Sequence, residues 1–344
     1  MTGRVLVTGG GGFIGSHLVD ALVERGEAVT VLDDFSTGNR ENLAEAQSRG
    51  NVRIVEGSIL DTNISEFAVT GCDRVFHLAV QCVRRSLGQP FENHEVNATG
   101  TLRVLEAARK AGVRRFVYCS SSEVYGNATT GLLTEDTLCE PMTVYGAAKL
   151  AGELYAKAYH RTYGLPTVIV RPFNAYGPRE HDQGDLAEVI PRFVIRVLNG
   201  LPPVIFGDGS NGRDFTYVTE VARGLIAAGS VDDLIGREVN IAFGRMVTIR
   251  EVAESIARVC QRPDLIPILS EARPGDVHVL HADTRRAQEV MNYNASIAFE
   301  EGIEKYLTWF QTIYPDPSHL LESEITNWQM PASVAPSDRT AKGR

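Results

Sequence analysis

Short apolar segments alternate with longer amphipathic segments through the first half of the chain. Strands are predicted at residues 5–8, 28–32, 52–56, 74–78, 115–120 and 167–172, and helices at 15–25, 92–111 and 145–163. Strands that are apolar along their whole length, and are separated by helices, indicate a parallel sheet covered on both faces. The alternation therefore predicts a doubly wound α/β domain.

The pattern changes after Pro172. Loops rich in glycine and proline follow at 176–178, 201–203 and 207–212, and helical periodicity returns at 189–198, 219–228 and 249–259. We expect a smaller C-terminal lobe that is interleaved with the first domain, because the strand-like stretches 214–218 and 238–241 can return to the first sheet. The expected division is therefore 1–172 with 213–242 for the first domain, 173–212 with 243–328 for the lobe, and 329–344 for a flexible tail.

Composition narrows the classes of partner. The chain has 344 residues, 43% of them hydrophobic, and a net charge of −9 without a long basic run, which argues against binding nucleic acid through its phosphates. Five scattered cysteines form no CxxC pair and no His/Cys cluster, so neither disulfides nor a metal site are expected. We find no leader-like start and no apolar run of membrane-spanning length, and we expect a cytoplasmic protein that binds small molecules and no membrane.

The segment TGGGGFIG at 8–15 joins the first predicted strand to the first predicted helix. Glycines there allow a tight turn and let backbone amides at the helix N-terminus approach a pyrophosphate. Asp33 ends the second predicted strand eighteen residues after Gly15, where a carboxylate accepts hydrogen bonds from the adenosine ribose and repels a 2′-phosphate. These features predict a Rossmann-type sheet that binds NAD in preference to NADP.

Tyr145 and Lys149 lie four residues apart, one turn along a predicted helix. A phenol has a pKa of about 10, but a nearby ammonium and an oxidised nicotinamide would stabilise its phenolate, which makes Tyr145 a candidate base. The segment SSSE at 120–123 closes a predicted strand at the sheet edge that also carries the glycine turn. A helix surface and a serine-rich turn are the ordinary explanations of these two patterns, and the dinucleotide motif favours catalysis over both.

Together these motifs resemble the extended short-chain dehydrogenases/reductases, in the NAD-dependent epimerase/dehydratase branch that acts on nucleotide-diphosphate sugars. The resemblance covers about residues 3–312. It is carried by the glycine motif at 8–15, HLA at 77–79, Asn97, the serine run, YGAAK at 145–149, RPFNAYGPR at 171–179, GDG at 207–209, RDF at 213–215 and RPGD at 273–276.

The resemblance implies roles for individual residues. Ser121 and Tyr145 would activate a sugar hydroxyl, Lys149 would bind the nicotinamide ribose, and Ser122 and Glu123 would lie beside the reacting sugar. The cofactor would contact Gly9, Gly12, Phe13, Ile14, Gly15, Asp33, Ser58, Ile59, Leu78, Ala79, Gln81, Tyr145, Lys149 and Pro172. The nucleotide sugar would contact Arg85, Ser86, Asn174, Arg179, His181, Val189, Arg213, Arg273 and Asp276, with Asn174, Arg213 and Arg273 on the diphosphate.

Members of the branch hold the nucleobase largely through backbone groups of a segment like 203–206, and uridine is the preferred expectation. The resemblance also implies a homodimer in which 92–111 and 145–163 pair across a two-fold axis. Two departures stand out: relatives often carry an aspartate where this chain has Gly57-Ser58-Ile59, and His181 replaces an arginine typical of uridine-diphosphate glucuronate epimerases.

The reaction stays open among three chemistries. A 4-epimerase needs little beyond Tyr145, Ser121 and a roomy pocket, and we rank it first. A 4,6-dehydratase also needs an acid and a base, for which relatives carry Asp-Glu where this chain has Ser122-Glu123. Ser-Glu also resembles the uridine-diphosphate glucuronate decarboxylases, and a non-catalytic NAD-binding protein is a remote alternative.

Overall fold

A seven-stranded parallel sheet forms the centre of the computed structural model, which describes residues 3–127, 131–273, 275–326 and 328. The strands are β1 (Arg4–Thr8), β2 (Ala28–Asp33), β3 (Val52–Glu56), β4 (Arg74–His77), β5 (Arg115–Cys119), β6 (Thr167–Pro172) and β11 (Glu238–Ile241). Their order in the sheet is β11-β6-β5-β4-β1-β2-β3, and every neighbouring pair is parallel. The order reverses between β1 and β4, which is where doubly wound sheets bind ligands.

Helices cover both faces of this sheet. On β1, Val5 and Val7 pack into one apolar cluster and Leu6 packs into another, because successive side chains point to opposite faces. The helices of the first half are α1 (Phe13–Glu24), α2 (Ala44–Arg49), α3 (Thr62–Val69), α4 (Val83–Gly88), α5 (Pro90–His94), α6 (Thr101–Lys110) and α7 (Val144–Tyr163). The fold class predicted from the alternation of strands and helices is confirmed.

A third apolar cluster forms the core of the C-terminal lobe. Its helices are α8 (Val189–Leu198), α10 (Ile249–Val259) and α12 (Phe299–Ile313), while α9 (Val218–Ser230) packs on α1 and α11 (Arg285–Met291) lies near β11. Small sheets complete the lobe: β7 (Ala175–Tyr176) with β10 (Thr216–Tyr217), β8 (Val204–Phe206) with β13 (Ile268–Ser270), and β9 (Gly212–Asp214) between β12 (Met246–Thr248) and β14 (Val279–Leu280).

The chain returns to the central sheet later than expected. β11 pairs with β6 as predicted, but 214–218 does not join the sheet, so the expectation that 213–242 returns as a whole is corrected. The physical reason is that β9 and β10 hydrogen-bond to strands of the lobe, whereas α9, the turn after it and β11 pack on the first domain. The expected tail, 329–344, lies outside the described residues.

The predicted helix 92–111 is interrupted. Between α5 and α6 the backbone adopts one stretch of π-helix, Glu95–Gly100, in which the hydrogen bonds span five residues. A side chain added at Gly100 would collide with Ile59, so the glycine allows this segment to approach the loop after β3 closely. No helix in the described part of the chain is long and apolar enough to cross a membrane.

Candidate active site

A cavity of about 310 Å³ opens at the carboxyl ends of the central strands. Its wall includes the first residues after β1, β2, β3, β4 and β5, and the last residue of β6, which meet at this edge because the strands are parallel. Every residue expected to contact the cofactor, and every residue expected in catalysis, lines this cavity. The cavity therefore brings together motifs that are far apart in the sequence.

The glycine turn is shaped by contacts that only glycine permits. Gly9 has φ +69°, and a Cβ there would lie 2.7 Å from the backbone nitrogen of Ala79. A Cβ on Gly15 would lie 2.0 Å from the Gly9 carbonyl oxygen, so α1 can begin this close to β1 only without a side chain. The first turn of α1 thereby directs its unpaired backbone amides and the positive end of its dipole into the cavity.

Asp33 lies in the same cavity and is 8% exposed. Its carboxylate accepts hydrogen bonds from the backbone N–H groups of Gly11 and Phe35, both at 2.8 Å. Burial raises the pKa of this carboxyl, and those two N–H groups oppose the rise. Two hydrogen bonds leave acceptor capacity on a carboxylate, so Asp33 can also receive the two ribose hydroxyls of a dinucleotide.

The loop after β4 is held by side chains that the sequence motifs did not single out as site residues. The Asn97 side chain accepts a hydrogen bond from the Gln81 backbone N–H and donates one to its carbonyl, each at 2.9 Å. Asn93 donates to the same carbonyl at 3.1 Å. Thr8 at the end of β1 bonds His77 and the backbone N–H groups of the next two residues, which ties this loop to the glycine turn.

The start of α7 positions the candidate base. Thr143 caps the helix by accepting a hydrogen bond from the Gly146 backbone N–H at 3.1 Å, which places Tyr145 in the first turn and Lys149 one turn later. A Cβ on Gly146 would lie 2.7 Å from the Glu123 carbonyl oxygen. This close approach brings Tyr145 against the turn that carries Ser121.

Tyr145 and Lys149 are both buried in the cavity wall. Burial raises the pKa of Tyr145 above its usual value, and a hydrogen bond with the Ser121 side chain opposes the rise. Burial lowers the pKa of Lys149 to about 8, although its ammonium donates a hydrogen bond to the Cys119 carbonyl at 2.5 Å. The Lys149 ammonium can stabilise a Tyr145 phenolate only while it keeps its proton. The geometry therefore supports Tyr145 as a base whose ionised form depends on the positive charge of Lys149.

The three serines have different surroundings. Ser120 donates to the Glu153 carboxylate at 2.6 Å, whereas Ser121 accepts from the backbone N–H of Glu123 at 3.2 Å and contacts Tyr145. Ser122 is buried and begins a 3₁₀ turn. Ser121 is therefore the serine whose hydroxyl can act together with Tyr145.

A second cavity, of about 170 Å³, lies between the sheet edge and the C-terminal lobe. Its wall includes Asn174, Val189, Arg213, Arg273 and Asp276, all expected to contact the nucleotide sugar. Asp276 accepts hydrogen bonds from Arg213 at 2.9 Å and from Arg273 at 2.7 Å, so one carboxylate holds two guanidinium groups together. Paired arginines suit the oxygens of a diphosphate.

Four residues, which we call the shared wall, line both cavities: Val83, Glu123, Asn174 and Glu188. The Asn174 side-chain oxygen is buried and has no hydrogen-bond partner among the described residues. Burial raises the pKa of Glu123, against the lowering effect of Arg213 and Arg273. These groups lie where a ligand spanning both cavities would meet polar atoms.

Glu188 was not predicted as a site residue. Its carboxylate accepts hydrogen bonds from both ends of the Arg84 guanidinium, at 2.9 and 2.8 Å. Burial raises the pKa of Glu188, but Arg84 outweighs burial and the pKa is lowered, so the carboxylate keeps its charge. The two residues are 104 positions apart, and no local spacing could have indicated their pairing.

Three expected substrate contacts line neither cavity. Arg179 is ion-paired with Asp20 of α1 at 2.6 Å, which directs it to the side of the first domain. Ser86 donates to the Val83 carbonyl at 2.6 Å within α4, and Arg85 donates to the Gln81 side chain at 3.3 Å. His181 does line the first cavity, and burial lowers its pKa.

The described part of the chain contains no group of three or more His, Cys, Asp and Glu side chains that could hold a metal ion. The residues of the first cavity do fit a dinucleotide. The glycine turn leaves room that a Cβ would fill, the helix N-terminus would face the pyrophosphate, and Asp33 would face a ribose. The fit favours NAD, because a 2′-phosphate would meet the Asp33 carboxylate.

Comparison with known proteins agrees with this geometry. The chain is 38% identical over 311 residues to UDP-glucose 4-epimerase from Mycolicibacterium smegmatis, which covers 90% of this chain and 98% of the relative. It is 35% identical to UDP-N-acetyl-alpha-D-glucosaminuronate decarboxylase from Bacillus cytotoxicus, over 92% of this chain and 100% of that protein. The crystal structure of dTDP-glucose 4,6-dehydratase from Streptomyces venezuelae with NAD bound superposes with a TM-score of 0.86 at 32% identity, covering 92% of this chain and 100% of the other.

The names of these three proteins describe different reactions, so similarity alone supports a nucleotide-sugar enzyme without choosing among the three reactions. The model of the NAD dependent epimerase/dehydratase family matches residues 5–242, which is more than half of the chain and includes the glycine turn, the serine run and the Tyr145–Lys149 pair. The chain therefore belongs to the NAD-dependent epimerase/dehydratase family.

Proposed function

We propose that the protein is an NAD-dependent nucleotide-sugar 4-epimerase that works through a 4-keto intermediate. The observation that carries the proposal is the position of Tyr145. Its phenol contacts Ser121, lies one turn from the Lys149 ammonium, and faces the cavity that fits NAD. The second cavity, with its paired arginines, adjoins that cavity through the shared wall.

The residues of the chain would divide the chemistry between them. Arg213 and Arg273 would bind the diphosphate and so orient the sugar toward Tyr145. Tyr145 would take the proton of the C4 hydroxyl, and Ser121 would hold the same oxygen by a hydrogen bond. NAD, when bound, supplies the acceptor and donor of the hydride at C4. Tyr145 would return the proton after the keto sugar has turned its other face.

The electrostatics of the site support these assignments. Burial raises the pKa of Tyr145, so the phenolate needs positive charge close by. Lys149 supplies such a charge below a pH of about 8, where its ammonium keeps its proton. The cavity wall also buries the reacting groups from water, which strengthens the effect of each charge.

A second candidate function rests on Glu123. This carboxyl lies in the shared wall, within the electrostatic reach of Arg213 and Arg273, and burial raises its pKa. A carboxyl there could act as the base of a dehydratase or in a decarboxylase. A dehydratase would also need a general acid, and by the family resemblance Ser122 stands where dehydratases carry an aspartate. We therefore rank the epimerase first.

Incubation with NAD in deuterated water tests the proposal. The substrates are UDP-glucose, UDP-N-acetylglucosamine and UDP-glucuronate, and the products are followed by mass spectrometry and proton NMR. We expect a C4 epimer of unchanged mass and without solvent deuterium at C4. We expect Tyr145→Phe to lower the rate of its formation by at least about a hundredfold while NAD still binds. Loss of water or of carbon dioxide would reject the epimerase in favour of Glu123 chemistry, and Glu123→Gln would then be the variant to compare.

The proposal includes finer points. We prefer uridine as the base. Residues 1–172, together with α9 and β11, would bind NAD, and residues 173–212 and 243–328 would bind the nucleotide sugar. The five free cysteines fit a reducing, cytoplasmic location.

We also propose a homodimer through the helices of 92–111 and 145–163. Leu154 is 58% exposed on α7, and Phe91, which directly precedes the first range, is 86% exposed, whereas Leu105 and Ala108 belong to the core. Light scattering of Leu154→Glu against wild type tests this contact, and a dimer of undiminished affinity in the variant would contradict it.

A further inference from the structure

The end of the described chain reaches the second cavity. Trp328 lines this cavity, although it lies beyond residue 312, where the family resemblance ends. Its indole meets the Phe206 ring edge to face, with ring centroids 4.7 Å apart and planes at 81°. Phe206 belongs to β8, within the 203–206 segment expected to contact the nucleobase. An aromatic side chain from outside the family pattern therefore lies beside the expected base site.

Several contacts hold this C-terminal segment along the lobe. The Asn199 side chain, at the end of α8, donates to the Pro317 carbonyl at 3.3 Å, and Arg192, in the first turns of α8, donates to the Ile325 carbonyl. Leu320 is 4% exposed and packs in the core of the lobe. The segment thus follows α8 from its C-terminal end toward its N-terminal end, and it leads Trp328 to the cavity.

The wall around Trp328 combines apolar and cationic groups. Val204, Phe206 and Phe215 contribute apolar surface, while Arg192 and Arg196 contribute positive charge. One nitrogen of the Arg192 guanidinium is buried without a hydrogen-bond partner in the described part of the chain. The Trp328 and Phe206 rings lie almost at right angles, so together they offer one face for stacking and one edge for a perpendicular contact. Such a wall suits a flat heterocycle, and the arginines beside it suit an attached phosphate group.

We propose that Trp328 forms one wall of the nucleobase site and stacks against the base of the bound nucleoside diphosphate. This inference rests on the proposed function, since it assumes a nucleotide-sugar substrate. Stacking on an indole is available to every base, so Trp328 would add affinity while the backbone of 203–206 reads the identity of the base.

The chain has two tryptophans, Trp309 on α12 and Trp328, which allows a direct test. In the NAD-saturated Trp309→Phe variant, Trp328 is the only source of indole emission. We expect UDP to quench that emission in a saturable way. We also expect Trp328→Leu to raise the calorimetric Kd of UDP by about five- to a hundredfold while the Kd of NAD stays unchanged. In turnover, Trp328→Leu should raise the KM of the nucleotide sugar by a larger factor than it lowers kcat, because Trp328 lines only the second cavity and Tyr145 only the first.

Other results would overturn the inference. If UDP binds Trp328→Leu as tightly as wild type, or more tightly, the indole does not support the base. If UDP binding leaves the Trp328 emission unchanged, the base lies elsewhere, and this readout needs no destabilised variant. If wild-type protein binds NAD but none of UDP, dTDP, GDP and ADP, the proposed function fails and the inference fails with it.

Discussion

Glu153 and Arg171 form a buried ion pair directly behind the active site. The Arg171 guanidinium donates two hydrogen bonds to the Glu153 carboxylate, at 2.9 and 2.6 Å, and the side chains are 3% and 1% exposed. Ser120 donates to the same carboxylate at 2.6 Å. Every partner of this carboxylate is thus a donor, so replacing Glu153 by an amide turns one donor–acceptor contact into a contact between two donors.

We expect Glu153→Gln to lower the free energy of unfolding by about 3–5 kcal/mol, because it leaves the Arg171 charge buried without a counterion. For a chain of this length, that loss lowers the melting temperature by about 4–7 °C. Ser120→Ala removes one hydrogen bond to a charged group and should cost less, about 1.5–3 kcal/mol. The matched surface control is Glu301→Gln, since Glu301 is 52% exposed and pairs with Lys305; it should cost less than about 0.5 kcal/mol.

Equilibrium unfolding in urea measures all three variants at one fixed NAD concentration, because bound cofactor adds its own stabilisation. The double variant Glu153→Leu with Arg171→Met should recover part of the loss, since it removes both charges. The reasoning is refuted if Glu153→Gln costs no more than Glu301→Gln, or if the double variant is no more stable than Glu153→Gln.

Three further predictions concern the active site. The Lys149 ammonium loses its proton as the pH rises through about 8, so turnover should fall over the same pH interval. Lys149→Arg should move this fall to higher pH, because arginine keeps its charge. A wild-type rate that stays constant to well above pH 8 would contradict this role of Lys149. Asp33→Ser should reduce the preference for NAD over NADP by about tenfold or more in calorimetric binding, whereas the neighbouring Asp34→Ser should leave it unchanged. Gly15→Ala should weaken NAD binding by about tenfold or more with its circular dichroism preserved, because its Cβ would lie 2.0 Å from the Gly9 carbonyl oxygen; NAD affinity equal to wild type would show that the turn can yield.

Local spacing explains which features of the site could be predicted from the sequence. The glycine turn follows β1, Asp33 ends β2, and Tyr145 and Lys149 lie one turn apart on a single helix. Each of these patterns depends on contacts within one element or between sequential elements. Gly9, Gly15, Asp33, Tyr145 and Lys149 all line the cavity at the sheet edge. The same logic identified the α/β alternation, because strand and helix periods are local properties.

Contacts that depend on how the chain packs over long sequence distances could not be predicted from local sequence patterns. Arg84 pairs with Glu188 across 104 residues, and β9 and β10 pair with strands of the lobe although the stretch 214–218 was expected to return to the central sheet. The π-helical stretch at Glu95–Gly100 also has no periodic signature, because the apolar pattern continues across it. Arg179 was assigned by resemblance alone, and its ion pair with Asp20 depends on the packing of α1.

The shared wall has a thermodynamic consequence. Because four side chains belong to both cavities, whatever fixes them for one ligand changes the free energy with which the other binds. Linkage requires that coupling to be reciprocal: if the cofactor raises the affinity for the nucleotide sugar by some factor, the nucleotide sugar raises the affinity for the cofactor by the same factor. A substitution in this wall, such as Glu188→Gln, will therefore alter two dissociation constants together, and neither constant measured alone can assign the residue to one ligand.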